Sequence, residues 1–226
     1  MYLTKVELDN RKRATQIAFS TPSLFHGAVE RAFEPRQKRN LWTVNKIDGK
    51  YYLYLLSEVE PKMDNFILQF CRPFTKAETK VYDPFLAKIK EGSVWRFRLV
   101  ATPSHSVQRP QPYMGESPVS TKGKSWHDDW HRGEIVAYTT EEGQIGWLMK
   151  KAEQNGFKFE KNACRITSSE WKIFRKNKNE KNITRFLLVA YEGVLTVTDV
   201  EKFRKALCNG IGREKAFGAG MLTIGR

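Results

Sequence analysis

The chain has 226 residues, 40% of them hydrophobic, and carries 39 Lys and Arg against 25 Asp and Glu, a net charge of +14. Its length admits one ordinary domain or two small ones, and a composition with no uninterrupted apolar run of roughly 20 residues excludes a disordered or membrane-spanning chain. Residues 1–100 and 101–226 each carry +7, so the charge belongs to the folded body rather than to a tail, and such a field concentrates polyanions, nucleic acid foremost.

The opening "MYLTKVELDN" alternates apolar and polar residues from its second position and lacks the apolar core of a secretory signal, so a strand over 2–9 and a cytoplasmic protein are expected. Thr21 is placed to cap a helix whose first position is Pro22. "RNLWTVNKI" and "YYLYLLSEV" read as two strands joined at Asp48-Gly49. "MDNFILQFC" fits a helix or a strand, as short apolar runs do, and "SVWRFRLVA" alternates clearly. Strand, helix, strand, strand, possible helix, strand is the split βαβ order of a ferredoxin-like fold, which predicts a first domain over 1–103.

From 104 to 138 the pattern dissolves into Pro, Ser, Gly, Lys and His, a long loop or linker. A helix at "QIGWLMKKAEQ" stopped by Gly156, strands at "FKFE", "CRITSSEWKIFRK" and "ITRFLLVAYEGVLTVTD", a helix at "VEKFRKALC" and a strand at "MLTI" repeat the same order over 139–226. The expected class is therefore α+β, with two tandem ferredoxin-like (RRM-like) domains. Cys71, Cys164 and Cys208 are odd in number and lack C-x-x-C spacing, which argues for core thiols rather than a disulfide framework or thiolate metal site.

One histidine stands out by its neighbours. At 100° per residue Leu24, Phe25, Ala28, Val29, Ala32 and Phe33 form one apolar arc, with His26 at its edge. Ser23 and Glu30 fall on the polar side beside it, and Arg31 on the opposite margin. Histidine is the side chain that gives and takes a proton near neutral pH, so an imidazole half sheltered by a core suits general acid–base work; the plain alternative is an ordinary boundary histidine. "WHDDWH" sets His127 and His131 at i, i+4, a spacing that can hold zinc, but Asp128 stands where a zincin needs Glu and no third ligand is evident.

Three basic features suit a polyanion. Arg96 and Arg98 project from the opposite face of the strand to Trp95, Phe97 and Leu99, onto the open face of a ferredoxin-like sheet, where they contact phosphate or pair with acidic neighbours. Lys172, Arg175, Lys176, Lys178, Lys181 and Arg185 crowd one hairpin, a ribbon that meets phosphates or simply stays solvated against edge pairing. "NGIGREKAFGAGML" brings Gly210, Gly212, Gly218 and Gly220 around Arg213 and Lys215. It is neither a dinucleotide fingerprint nor a Walker A loop, but it permits backbone amides to approach a polyanion closely, or a plain turn.

Taken in order, "MYLTKVELD", the His26 helix, "RFRLVATP", "WLMKKAEQNGF", "YEGVLTVTD" and "GIGREKAFGAGML" resemble the CRISPR-associated precursor-RNA endoribonucleases of the CasE type, in the RAMP superfamily, which serve the Cascade complex. The segment 104–138 carries none of the likeness. The resemblance implies two ferredoxin-like domains gripping a repeat RNA hairpin, other Cascade subunits as partners, and no cofactor. It also implies attack of a ribose 2′-OH on the adjacent phosphate at the base of the stem, leaving a 2′,3′-cyclic phosphate and a 5′-OH, with the product retained. His26 matches the family's catalytic histidine, and Arg31 stands where a basic residue would stabilise the phosphorane. Ser23 stands where related enzymes often place a tyrosine. Its shorter reach leaves three outcomes: activity falls wholly on His26, a second group such as Tyr2 or Tyr113 substitutes, or the rate is low. The same departure supports an alternative, a non-catalytic RNA-binding subunit of the same fold.

Overall fold

The computed structural model describes residues 1–34, 40–107, 134–175 and 183–225. From β1 (Tyr2–Leu8) the chain passes through two short helices, α1 (Arg13–Ser20) and α2 (Ser23–Glu30), and returns as the hairpin β2 (Leu41–Ile47) and β3 (Lys50–Ser57). Asp48 and Gly49 turn that hairpin with φ of 50° and 80°, the left-handed pair that a two-residue type I′ connection needs. α3 (Asp64–Phe70) and the four-residue β4 (Glu78–Val81) follow. The strands lie in the order β2-β3-β1-β4 and pair antiparallel throughout, the ferredoxin-like arrangement.

"MDNFILQFC" is a helix because Phe66 and Phe70, four residues apart, fall on one face and bury against Phe25, with centroids 6.1 and 4.9 Å from its ring. Val6, Leu8, Leu53 and Leu55 close this core from the sheet side. α1, which the apolar pattern did not announce, packs against α2, α3 and β9. Thr21 does not cap α2 through its side chain: the cap position is Pro22, already helical in its dihedrals. Thr21 is instead the joint of two helices, its amide donating to Ile17 O at 2.8 Å and its carbonyl accepting from Leu24 N at 3.0 Å.

After a single turn, α4 (Asp83–Leu86), the second unit runs β5 (Val94–Ala101), the ribbon β6 (Ser104–Val107) with β7 (Glu134–Ala137), α5 (Glu141–Gln154), β8 (Phe157–Lys158), β9 (Cys164–Phe174), β10 (Thr184–Val197), α6 (Val200–Asn209) and β11 (Leu222–Gly225). Its sheet is ordered β11-β5-β10-β8, with β9 also paired to β10. This repeats the first topology, so the expected tandem ferredoxin-like fold is the one observed.

The expectation that Val94–Ala101 closes the first sheet is corrected. β5 pairs with β10 and β11, whereas β4 pairs with β1, so the sheets part between Val81 and Val94 rather than at 103. The physical reason is that β4 is short and mostly exposed and has no buried face to impose alternation. β5 alternates strongly because Trp95, Phe97, Leu99 and Ala101 pack into the second core.

Cys71 is buried, and Cys164 and Cys208 are half-buried and free; burial pushes the Cys71 thiol up to about 12 and Cys164 to about 11. No helix among the described residues is long and apolar enough to cross a membrane.

The two units meet along an apolar seam of Leu41, Leu56, Tyr82 and Met221. Polar ties flank it: Asn45 Nδ2 donates to Thr223 Oγ1 at 3.4 Å, and Lys172 Nζ to Phe19 O at 3.1 Å. Beside the seam lies a cleft of about 560 Å³ lined by Phe19, Phe25, Trp42, Arg98, Lys172 and Phe217, among others.

Candidate functional site

α2 spans only eight residues, with Phe25, Ala28 and Val29 buried and Ala32 and Phe33 buried just beyond it. Phe25 anchors the helix in an aromatic cage, its ring 5.8 Å from Phe19, 5.8 Å from Trp42 and 4.9 Å from Phe70. This rigid base presents His26 half-buried at the margin of the apolar patch, as the helical wheel expects. Leu24 is corrected: it is 40% exposed, because at 100° per residue it falls about 40° beyond Ala28, outside the buried arc.

Ser23 is half-buried one turn before His26. Glu30, one turn after it, accepts from Asn40 Nδ2 at 3.4 Å. Arg31 is exposed and folds back over Gly27, its Nη1 3.5 Å from the point a Cβ there would occupy. Its Nη2 donates to Gln69 Oε1 of α3 at 3.5 Å. The guanidinium therefore lies along the solvent side of the helix that carries His26, steered by a residue that sequence reasoning did not single out.

The C-terminal glycine-rich loop reaches this helix. Its 3-10 turn, Lys215–Phe217, packs against α2 and β2. Phe217 wedges into the far hairpin, 5.2 Å from Phe174 and 5.5 Å from Phe186. Gly218 holds φ 81°, and a Cβ there would stand 2.6 Å from the Trp42 ring, so its glycine is demanded by packing. Gly210, Gly212 and Gly220 are likewise close against Leu41, Trp147 and Ile211. The amides of Gly210, Ile211, Gly218 and Gly220 are spent on carbonyls of the fold. The structure thus makes the loop a packed brace that sets the half-buried Lys215 beside α2, with Arg213 exposed nearby.

Other sequence-predicted residues lie apart from His26. Arg98 Nε pairs with Glu192 Oε1 at 2.9 Å, and Arg165 takes the other carboxylate oxygen at 3.0 Å. Arg96, exposed on the same face, makes no ion pair among the described residues and lines a second cleft of about 600 Å³ with Tyr54 and Arg165. Lys172 is only 17% exposed, bound to Glu170 at 2.7 Å and to the C-terminal end of α1, so it locks the second sheet to the first unit. Arg185 stacks its guanidinium 4.3 Å from the Trp171 ring, a diagonal neighbour that only the hairpin register reveals. Arg175 is exposed. Lys176, Lys178, Lys181, Tyr113, His127 and His131 lie outside the described residues. Among the described residues no group of three or more His, Cys, Asp and Glu forms a metal-holding cluster.

Comparison with known proteins gives consistent matches. A family model described as CRISPR associated protein matches residues 1–226. The CRISPR-associated endoribonuclease Cse3 of Thermus thermophilus is 25% identical over 237 residues, covering 99% of this chain and 99% of that one. Among solved structures, CRISPR endoribonuclease Cse3 bound to 19 nt RNA superposes with a TM-score of 0.74 at 23% identity, covering all of both chains. A chain of a CRISPR RNA-guided surveillance complex, pre-nicking, superposes with a TM-score of 0.64 at 22% identity, covering 99% of each.

Proposed function

Because the chain belongs to the CRISPR-associated protein family along its whole length, we propose that it is an endoribonuclease that cuts CRISPR precursor RNA at the base of the repeat hairpin and keeps the product bound. The observation that carries this reading is His26, half-buried on a braced helix with Arg31 and the Lys215 turn packed around the same helix. A relative along nearly the full length is named an endoribonuclease, and chains of the same fold bind RNA and sit in a surveillance complex. These support the RNA hairpin and neighbouring complex subunits as partners.

The chemistry needs only proton transfers and charge stabilisation. The ribose 2′-OH loses its proton and its oxygen bonds to phosphorus; the bond from phosphorus to the 5′ oxygen breaks, and that oxygen takes a proton. The products are a 2′,3′-cyclic phosphate and a 5′-OH. His26 is the group to move a proton at the 2′ or 5′ oxygen. Arg31 donates to the phosphorane's added negative charge. Ser23, one turn away, positions the imidazole or the phosphate but has little reach for proton transfer.

Stem binding falls to the exposed cations Arg96, Arg175, Arg185 and Arg213, with Lys215, since an A-form stem is held through phosphates and 2′-hydroxyls. Lys172 and Arg98, engaged within the protein, contribute by fixing the surface rather than by contacting RNA.

Incubating the protein with its repeat RNA in EDTA and mapping the ends tests this reading. Cleavage to a cyclic phosphate and a 5′-OH is expected. Tight binding without cleavage would favour the non-catalytic subunit, which Ser23 supports. Cleavage that EDTA abolishes would favour a metal-dependent hydrolase. Replacing Arg31 with alanine is expected to slow single-turnover cleavage by about 10²-fold while RNA affinity in a filter-binding assay changes only slightly, because one exposed cation contributes little to a many-phosphate contact.

A further inference from the structure

The loop after α3 carries a feature that the cleavage site does not use. Thr75 N donates to Arg72 O at 3.2 Å, closing a four-residue turn with Pro73 second and Phe74 third. Phe74 has φ 66°. A turn with Pro at the second position and positive φ at the third is the type II pattern, and its third position is normally Gly or Asn, because a bulky side chain is strained there. Phe74 is nevertheless 99% exposed, so its ring does nothing for the core. Leu68, on the last turn of α3, is 78% exposed beside this loop.

The turn and the stretch after β1 that pairs with it through Asp9 carry an excess of positive charge. Residues 9–13 and 71–77 together hold Arg11, Lys12, Arg13, Arg72 and Lys76 against the single carboxylate Asp9. Three bonds pin residues 9–15 to the end of α3, just before the turn: Asp9 N to Phe70 O at 2.9 Å, Lys12 Nζ to Leu68 O at 2.8 Å and Thr15 Oγ1 to Phe70 O at 3.0 Å. Asp9 sits between Arg11 at 3.5 Å and Arg72 at 3.9 Å, and one carboxylate cannot neutralise both. The patch is continuous with the candidate cleavage site through α3, since Gln69 holds Arg31.

We propose that Phe74 is a stacking platform for an unpaired base of the bound RNA, with Arg11, Arg13, Arg72 and Lys76 holding the phosphates on either side. A rigid, exposed aromatic ring on a cation-rich turn is the chemistry that single-stranded nucleic acid recognises: a π-face for the base and fixed positive charge for the backbone. The excess of cations favours a polyanion over an apolar protein surface. The strained turn holds the ring clear of the surface at the cost of local stability, which an idle position would recover by substitution to glycine. The proposal rests on the RNA-binding reading given above.

The test measures affinity for two RNAs, the repeat hairpin with its unpaired flanks and the stem-loop alone, using wild type, Phe74→Ala, Phe74→Gly and Phe74→Trp. Phe74→Ala and Phe74→Gly are expected to weaken the flanked RNA roughly 5- to 150-fold, the loss of one base–aromatic stack, and to leave the stem-loop unchanged. Phe74→Trp is expected to retain wild-type affinity. With 5-iodouridine placed in turn at each flank position, one position is expected to crosslink to wild type and not to Phe74→Ala. Because the ring is fully exposed, none of these variants disturbs the core. If wild type binds both RNAs and Phe74→Ala binds them equally well, the platform is refuted and Phe74 belongs to a protein contact instead. If wild type binds neither RNA, the RNA-processing reading fails first, and this inference with it.

Discussion

Replacing His26 with alanine is expected to slow single-turnover cleavage of repeat RNA by about 10²–10⁴-fold, the usual worth of a positioned general acid or base, while RNA affinity and thermal stability stay near wild type. Stability is preserved because the imidazole lies at the margin of the buried patch, and the anchoring of α2 is done by Phe25, Ala28 and Val29. Removing the ring therefore leaves no core cavity of the kind that destabilises large-to-small variants. Quenched time courses with enzyme in excess separate this from a binding defect, which would instead raise the enzyme concentration needed for half-maximal rate. A His26→Ala protein that binds and cuts at the wild-type rate would assign the chemistry elsewhere.

The second large effect belongs to the brace. Gly218→Ala is expected to destabilise the protein by about 2–4 kcal/mol, combining a left-handed backbone that alanine resists with overpacking against a fixed ring. The ring is Trp42, itself 2% exposed and held edge-on against Phe25, so it has little room to retreat. Denaturant unfolding measures the shift in midpoint. Gly27→Ala is the matched comparison. The added carbon meets only the Arg31 Nη1 at 3.5 Å, an ordinary contact within a helix, so stability is expected to hold or rise by about 0.5–1 kcal/mol. Should Gly218→Ala prove neutral, the terminal loop would not be the packed element that sets the Lys215 turn against α2.

The parts of this architecture that could be read from the chain are those in which one buried face imposes a period. β5 and β10 alternate because Trp95, Phe97, Leu187 and Val189 point into one core; α2 shows its arc because Phe25, Ala28 and Val29 point into another. What alternation does not carry is partner choice. Val94–Ala101 gave its strand character plainly, yet its hydrogen bonds go to β10 and β11, which lie far along the chain. β4 escaped because four mostly exposed residues pair through their backbones alone. His26 was legible for the same reason as its helix, since the arc's edge is a property of spacing.

The surroundings of the site depended on tertiary contacts between segments distant in sequence. Arg31 meets Gln69, 38 positions away, and Lys172 reaches Phe19 across 153. The latter shows that a residue read as a phosphate contact also ties the units together. The glycines of the terminal loop were visible as a cluster, but their close packing against Trp42 and Leu41 was not. No local pattern links those two residues to the loop.

The measurement that bears most directly on the central claim uses wild-type protein and two RNAs that differ by one atom, the 2′-oxygen of the nucleotide at the cleavage position. If the RNA supplies its own nucleophile and the protein's imidazole handles the protons, the RNA carrying a single deoxyribose there is bound as tightly as the unmodified one and remains whole. Cutting of that RNA at an undiminished rate would contradict the account, because the attacking oxygen would then have to come from water.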